Sequence, residues 1–263
     1  MVPPAAGMGL QGQDERERFE NEVRRILKAA GGERLVLRLL GSLAFQMHCP
    51  RYGFLQAKLG RAYTDIDFAS YSQQAKGIRD LLGRLGYAED REIFVVTEGG
   101  RAIFQNPVIH MHVDVFYGKL DFSHVIPWDG RLEADEPTIP LAEMLLEKMQ
   151  IVQINEKDVI DTIMLLLEHP LGNTDHETIH MGRVAALCAA DWGMWRTATM
   201  NLGKVGLLAQ GYVQLEGVDK ARVVEQVQAA LARIEAEPKS LAWRLRARVG
   251  DRVKWYKDVD EVQ

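Results

Sequence analysis

The spacing of apolar and polar positions splits the chain into two stretches of different character. Within residues 14–30, DERERFENEVRRILKAA, a charged start gives way to Phe19, Val23, Ile26 and Leu27 at helical spacing. That predicts an amphipathic helix ended by Gly31 and Gly32. LVLRLL at 35–40 reads as a buried strand, Gly41 and Ser42 interrupt it, and LAFQMHC continues as a helix ended by Pro50. Residues 51–63 carry no period and read as loop. YTDIDFAS is a short strand, and SQQAKGIRDLLGRLGY sets Ile78, Leu81, Leu82 and Leu85 on one side of a helix. EIFVVTEGGRAIFQ predicts a hairpin turning at Glu98-Gly99-Gly100, and VIHMHVDVFYG at 108–118 predicts a further strand. After about Pro140 no strand pattern returns. LAEMLLEKMQIVQ, EKDVIDTIMLLLEHP, HMGRVAALCAADWGMW, RVVEQVQAALARIEAE and LAWRLRARV all carry the helical period.

The expected class is therefore α+β: a mixed β-sheet core with flanking helices, followed by an all-helical C-terminal domain. The expected division is a flexible tail over 1–18, an α/β core over 19–135 and a helical domain over 136–263. A chain of 263 residues that is 47% hydrophobic is ample for a buried core. With a net charge of −5, no broad basic surface advertises nucleic-acid binding. No apolar run reaches the roughly 20 residues that span a bilayer, and MVPPAAGMGLQGQ lacks the basic and apolar regions of a signal peptide. Cys49 and Cys188 stand outside any C-x-x-C spacing, which fits free thiols and a cytoplasmic location.

Candidate chemistry comes from strand alternation. In TDIDF, Asp65 and Asp67 point one way while Ile66 and Phe68 point the other. In VIHMHVDVFY, Ile109, Met111, Val113, Val115 and Tyr117 form an apolar face, and His110, His112 and Asp114 share the opposite one. If the two strands are neighbours with matched faces, three carboxylates converge beside two imidazoles. Two carboxylates about 5 Å apart repel by roughly 3 kcal/mol at an effective dielectric near 20. Mg²⁺ removes that repulsion, and a pair of such ions can hold the attacking and leaving oxygens around a phosphorus atom. A D-x-D pair alone reads as solvated strand-edge residues; the third strand aspartate makes the set a candidate. Gly41 and Ser42, between a strand and a helix, add free backbone N–H groups that attract phosphate, although an ordinary turn capped by serine has the same sequence.

In this order LLGSLAF, DID and VDV resemble the signature of the polymerase-β-like nucleotidyltransferase superfamily. The run LAEMLLEKMQIVQINEKDVIDTIMLLL is similar to the helical segment after the core in minimal and toxin-type members, where a lysine and a K-D-x-x-D element recur. The resemblance covers about 35–168, with MHCPRYGFLQAKLGRAY inserted before the paired aspartates. It implies that Gly41 and Ser42 hold the phosphates of a nucleoside triphosphate. It gives two Mg²⁺ ions to Asp65, Asp67 and Asp114, with Asp114 helping to deprotonate the acceptor hydroxyl. Lys148 and Lys157 would neutralise phosphate charge, and His112, Arg61 and Asp161 would line the cleft. A nucleoside monophosphate would then pass to an acceptor, a small molecule or protein in preference to RNA, with release of pyrophosphate.

Two alternatives stand beside this reading. One is a catalytically inactive member of the same fold that binds nucleotide or a partner. The other is a zinc-dependent hydrolase using His110, His112 and Asp114, although His48, His124, His169, His176 and His180 show no spacing that would complete such a site. In EKDVIDTI, Lys157 and Asp161 stand four apart and are expected to pair on one helix face. The basic C-terminal stretch 239–257 interleaves Trp243, Trp255 and Tyr256 with arginines and lysines, a composition that suits either an RNA or an acidic partner.

Overall fold

The computed structural model describes residues 10–58 and 63–259. The chain divides into two compact units, one formed by Met1–Leu120 with Pro127–Pro140 and the other by Asp121–Ile126 with Leu141–Gln263. The first unit is mixed α/β. Helix α1 (Leu10–Gly32) leads to strand β1 (Arg38–Leu40), helix α2 (Gly41–His48), the one-turn helix α3 (Phe54–Lys58) and strand β2 (Asp65–Ser70). Helix α4 (Ala75–Arg84), strand β3 (Ala88–Asp90), helix α5 (Arg91–Val96) and strands β4 (Arg101–Asn106) and β5 (Met111–Tyr117) follow. The five strands form one mixed sheet in the order β1-β2-β5-β4-β3, with β2 and β5 parallel and the other pairs antiparallel. Strands β6 (Lys119–Asp121) and β7 (Val125–Pro127) form a separate two-stranded ribbon.

One face of the large sheet is mainly apolar, with Glu89, Ser70 and Asn106 at the ends of its rows. Ile66 and Phe68 of β2, Met111, Val113, Val115 and Tyr117 of β5, and Ala102 and Phe104 of β4 are all buried. Phe19, Val23, Ile26 and Ala30 of α1 and Ile78, Leu81 and Leu82 of α4 complete this core. Burying each large apolar side chain is worth roughly 1.5–3 kcal/mol, which makes this face the main determinant of strand register. At the sheet edge, the Leu39 N–H bonds the Pro137 carbonyl and the Ile139 N–H bonds the Leu39 carbonyl, both at 2.9 Å. Residues 137–139 thereby cover part of the β1 edge.

Several local expectations are corrected. The first helix begins at Leu10, inside the stretch read as tail. Strand β1 keeps only three residues of LVLRLL. Arg34 takes left-handed backbone at φ 57° and the Leu35 N–H returns to the Ala30 carbonyl, so this segment finishes α1. Val36 then donates to Gln74 Oε1 at 2.7 Å instead of to a strand. Residues 51–63 contain α3. The hairpin at Glu98-Gly99-Gly100 is a helix end: Asp90 caps α5 by accepting from the Glu92 N–H, and the Gly99 N–H closes on the Phe94 carbonyl at 2.8 Å. The Glu-Gly pair supplies the positive φ that such a terminus needs, which is why it resembled a turn between strands. The real hairpin joins β4 to β5, where Asn106 Oδ1 accepts from the Val108 and Ile109 N–H groups.

The second unit is helical: α6 (Leu141–Met149), α7 (Glu156–Glu168), α8 (Met181–Ala190), α9 (Trp192–Ala209), α10 (Gly217–Ala236) and α11 (Leu241–Ala247). A two-residue parallel pair, β8 (Leu171–Gly172) with β9 (Ile179–His180), interrupts the helices where no strand was expected. Side-chain caps start three of these helices, with Asn155 before α7, Asp191 before α9 and Ser240 before α11. Trp195 packs edge-on against Trp243 at 5.1 Å and Trp192 against Trp255 at 6.1 Å. The C-terminal tryptophans are thus packing residues, while Arg244, Arg248 and Arg252 remain exposed. Among the described residues no helix is long and apolar enough to cross a membrane.

Candidate active site

The second face of the large sheet carries the polar residues, arranged in rows across the strands. Register aligns Gln105, His112 and Asp65 in one row, Ile103, Asp114, Asp67 and Leu40 in the next, and Arg101, Phe116, Ala69 and Arg38 in the third. The first row is exposed, and the second runs from half-buried Asp67 to Asp114, only 5% exposed. Parallel neighbours lie about 4.8 Å apart, so the Asp67 and Asp114 backbones meet side by side while Asp65 sits one step along the strand. The convergence expected from alternation is therefore present in the backbone for Asp65, Asp67 and Asp114, with His112 beside them.

The Gly41–Ser42 turn reaches the same place. Gly41 opens α2 at φ 71°, and a Cβ added there would lie 2.4 Å from Asp67 Oδ2. Only glycine brings the backbone this close to the carboxylate in that conformation. Leu40 occupies the N-cap position without a side-chain bond, so Ser42 lies in the first turn and does not serve as the cap. The insertion between α2 and β2 leaves this approach intact.

Arg101 is the residue that alternation in the β5 segment did not reveal. Its Nε donates to Asp114 Oδ2 at 3.1 Å, and its Nη2 makes a shorter bond to the same oxygen. Its guanidinium also lies over the Phe116 ring, 5.3 Å from the centroid. Burial pushes the Asp114 carboxyl above the ordinary carboxylate range; Arg101 opposes that rise and the Asp65 charge adds to it. The signal for Arg101 lay in RAIFQN: Arg101, Ile103 and Gln105 alternate, and the Asn106-Pro107 turn makes β4 the antiparallel neighbour of β5. Assigning the hairpin to Glu98-Gly99-Gly100 hid that pairing.

His110 does not join the face. It precedes β5, in left-handed backbone at φ 49°, so the alternation placing it with His112 and Asp114 fails there. Among the described residues no group of three His, Cys, Asp or Glu side chains is arranged to hold a metal ion as placed. Arg61 lies outside the described residues.

Lys148, Lys157 and Asp161 belong to the helical unit. Lys148 is buried, with its Nζ 3.0 Å from Glu147, 3.5 Å from Asp158 and 3.3 Å from Asp161. Asp161 therefore pairs with Lys148 of α6, whereas Lys157, its expected partner on α7, is exposed. Helix geometry allowed the Lys157–Asp161 pair, but burial of Asp161 turned it toward the neighbouring helix. Comparison with known protein families, with curated proteins and with solved structures found no match to this chain.

Proposed function

We propose that this protein is a divalent-cation-dependent nucleotidyltransferase, which moves a nucleoside monophosphate from a nucleoside triphosphate to an acceptor hydroxyl. The observation that carries the reading is the Asp67–Asp114 register together with the close approach of Gly41 to Asp67. Three separated stretches of sequence bring a phosphate-type turn and an acidic pair to one place. The donor chemistry fits Mg²⁺, since all three candidate ligands are carboxylates and buried Asp114 already draws on a cation. Asp65, Asp67 and Asp114 would hold two ions, which when bound supply the charge that neutralises a triphosphate and acidifies a hydroxyl.

The chain's own residues do the rest. The α2 N-terminus at Gly41 and Ser42 presents amides to the polyphosphate, and Gly41 lets the backbone lie close to it. Asp114 is the carboxylate placed to accept the proton of the acceptor hydroxyl. The hydroxyl oxygen bonds to the α-phosphorus as the bond to the β-phosphate bridging oxygen breaks, and pyrophosphate leaves. The net charge of −5 favours a small-molecule or protein acceptor over RNA.

The Arg101 guanidinium on Asp114 favours a second reading, a catalytically silent nucleotide- or partner-binding protein of the same fold. Labelled nucleoside triphosphates incubated with Mg²⁺, cell extract and purified protein separate the two. The first reading expects pyrophosphate release that is lost in Asp65→Asn, with label on a small molecule, a protein or an RNA naming the acceptor. Nucleotide binding without release supports the second; no binding and no release overturns the catalytic reading and nucleotide binding alike.

A further inference from the structure

We infer that Arg101 is a displaceable counter-cation that competes with a divalent ion for Asp114, so that this competition sets the cation concentration at which the site loads. The inference rests on the divalent-site reading above and adds to it the residue that controls loading. Both guanidinium bonds end on one oxygen, Asp114 Oδ2. An oxygen engaged by a two-donor fork lacks the lone-pair directions a metal ion needs, and two cations cannot share it without repulsion. Occupation by Arg101 and ligation of a metal at Oδ2 are therefore mutually exclusive.

The surroundings favour an exchangeable contact over a permanent plug. The Asp114 side chain is 7% exposed and has little freedom, whereas that of Arg101 is 22% exposed and has a route to solvent. Register pairs Arg101 with Phe116, two positions beyond Asp114, so the guanidinium reaches back along the strand to make its bonds. When it lets go, the Phe116 ring still offers it a cation–π contact on the same face. Burial of Asp114 explains why a counter-cation is needed in the absence of an ion: a carboxylate this deep is costly to keep ionised alone.

Arg38 supplies the control. It stands at the opposite end of the Arg101 row, with its guanidinium on the Asp135 carbonyl at 2.6 Å and the Leu37 carbonyl at 2.9 Å. Arg38→Ala removes the same unit of charge from the same face without touching Asp114.

The experiment is Mn²⁺ binding followed by electron paramagnetic resonance, with melting curves for every variant. Arg101→Ala is expected to bind Mn²⁺ roughly tenfold more tightly than the wild type, the scale of a lost charge-assisted contact. Arg38→Ala should stay within about twofold in physiological salt, and Asp114→Asn added to Arg101→Ala should erase the gain. Equal or weaker binding by Arg101→Ala, or the same gain in Arg38→Ala, overturns the competition and leaves the divalent site standing. No Mn²⁺ bound by any of the proteins overturns the site and the competition together. Should Arg101→Ala fail to fold, the wild-type Arg101 Nε–H resonance, assigned by its absence in Arg101→Lys, replaces it. The competition expects that resonance to shift on Mg²⁺ saturation; an unmoved resonance overturns it.

Discussion

Gly41→Ala tests the close approach on which the proposed function stands. Gly41 sits at φ 71°, where a residue with a Cβ is strained by roughly 1–2 kcal/mol. The new Cβ would lie 2.4 Å from Asp67 Oδ2. Ordinary carbon contacts begin near 3.5 Å, so the carboxylate must move by about 1 Å. Asp67 is half-buried and its oxygen is the end of a short side chain, so rotation absorbs the overlap and backbone strain dominates the stability change. A loss of about 1–2 kcal/mol lowers the melting temperature by about 2–8 °C in a chain of this size. The functional cost is larger, because misplacing a reacting group by about 1 Å costs roughly a hundredfold. Scanning fluorimetry reads the first effect and pyrophosphate release the second. An unchanged melting temperature refutes the left-handed turn. A lowered melting temperature with full pyrophosphate release refutes the role of Asp67.

Asp65→Asn should abolish Mg²⁺-dependent pyrophosphate release while preserving the melting temperature, since Asp65 is exposed and outside the core; residual release above about 1% of wild type counts against its role. Lys148→Met should destabilise the helical unit by about 3–5 kcal/mol, because it leaves Glu147, Asp158 and Asp161 without their shared cation, and a wild-type denaturation midpoint would contradict that. His124 is buried with its Nε2 2.8 Å from Thr197 Oγ1, and burial holds its pKa below the ordinary 6.5 despite an opposing pull from Asp191. The unfolded chain then takes up a proton that the folded chain refuses, so the stabilising contribution is intact above pH 6.5 and lost as pH falls through the lower folded value. His124→Gln should flatten the melting-temperature decline between pH 7.5 and about 5.5, and identical slopes would exclude His124 as a cause.

Elements with a single strong period were legible from the chain. TDIDFAS and HVDVFY carried their alternation into β2 and β5, and α6, α7, α10 and α11 appeared close to where their periods placed them. HMGRVAALCAADWGMW instead divides at Asp191 into α8 and α9, and α9 runs on to Ala209 where no helix was expected. Errors gathered where one signal serves two structures. Glu98-Gly99-Gly100 offers positive φ equally to a hairpin and to a helix terminus, and Asp90 decided for the helix by capping α5. His110 sat in the apparent rhythm of β5, yet the turn built on Asn106 consumed it.

What the sequence by itself determined is which side chains share a strand face, because the period-two alternation of an extended chain is a local property of its backbone. It therefore held Asp65 with Asp67 and His112 with Asp114 before any fold was known. Only the tertiary structure decided that β2 and β5 lie parallel with Asp67 opposite Asp114, that Gly41 closes on Asp67, and that Arg101 reaches Asp114 from β4. Those contacts join residues far apart in the chain, or in the case of Arg101 depend on which turn forms. Strand order and register follow from burying Ile66, Phe68, Val113, Val115 and Phe104 together, a property of the assembled core that no local window contains.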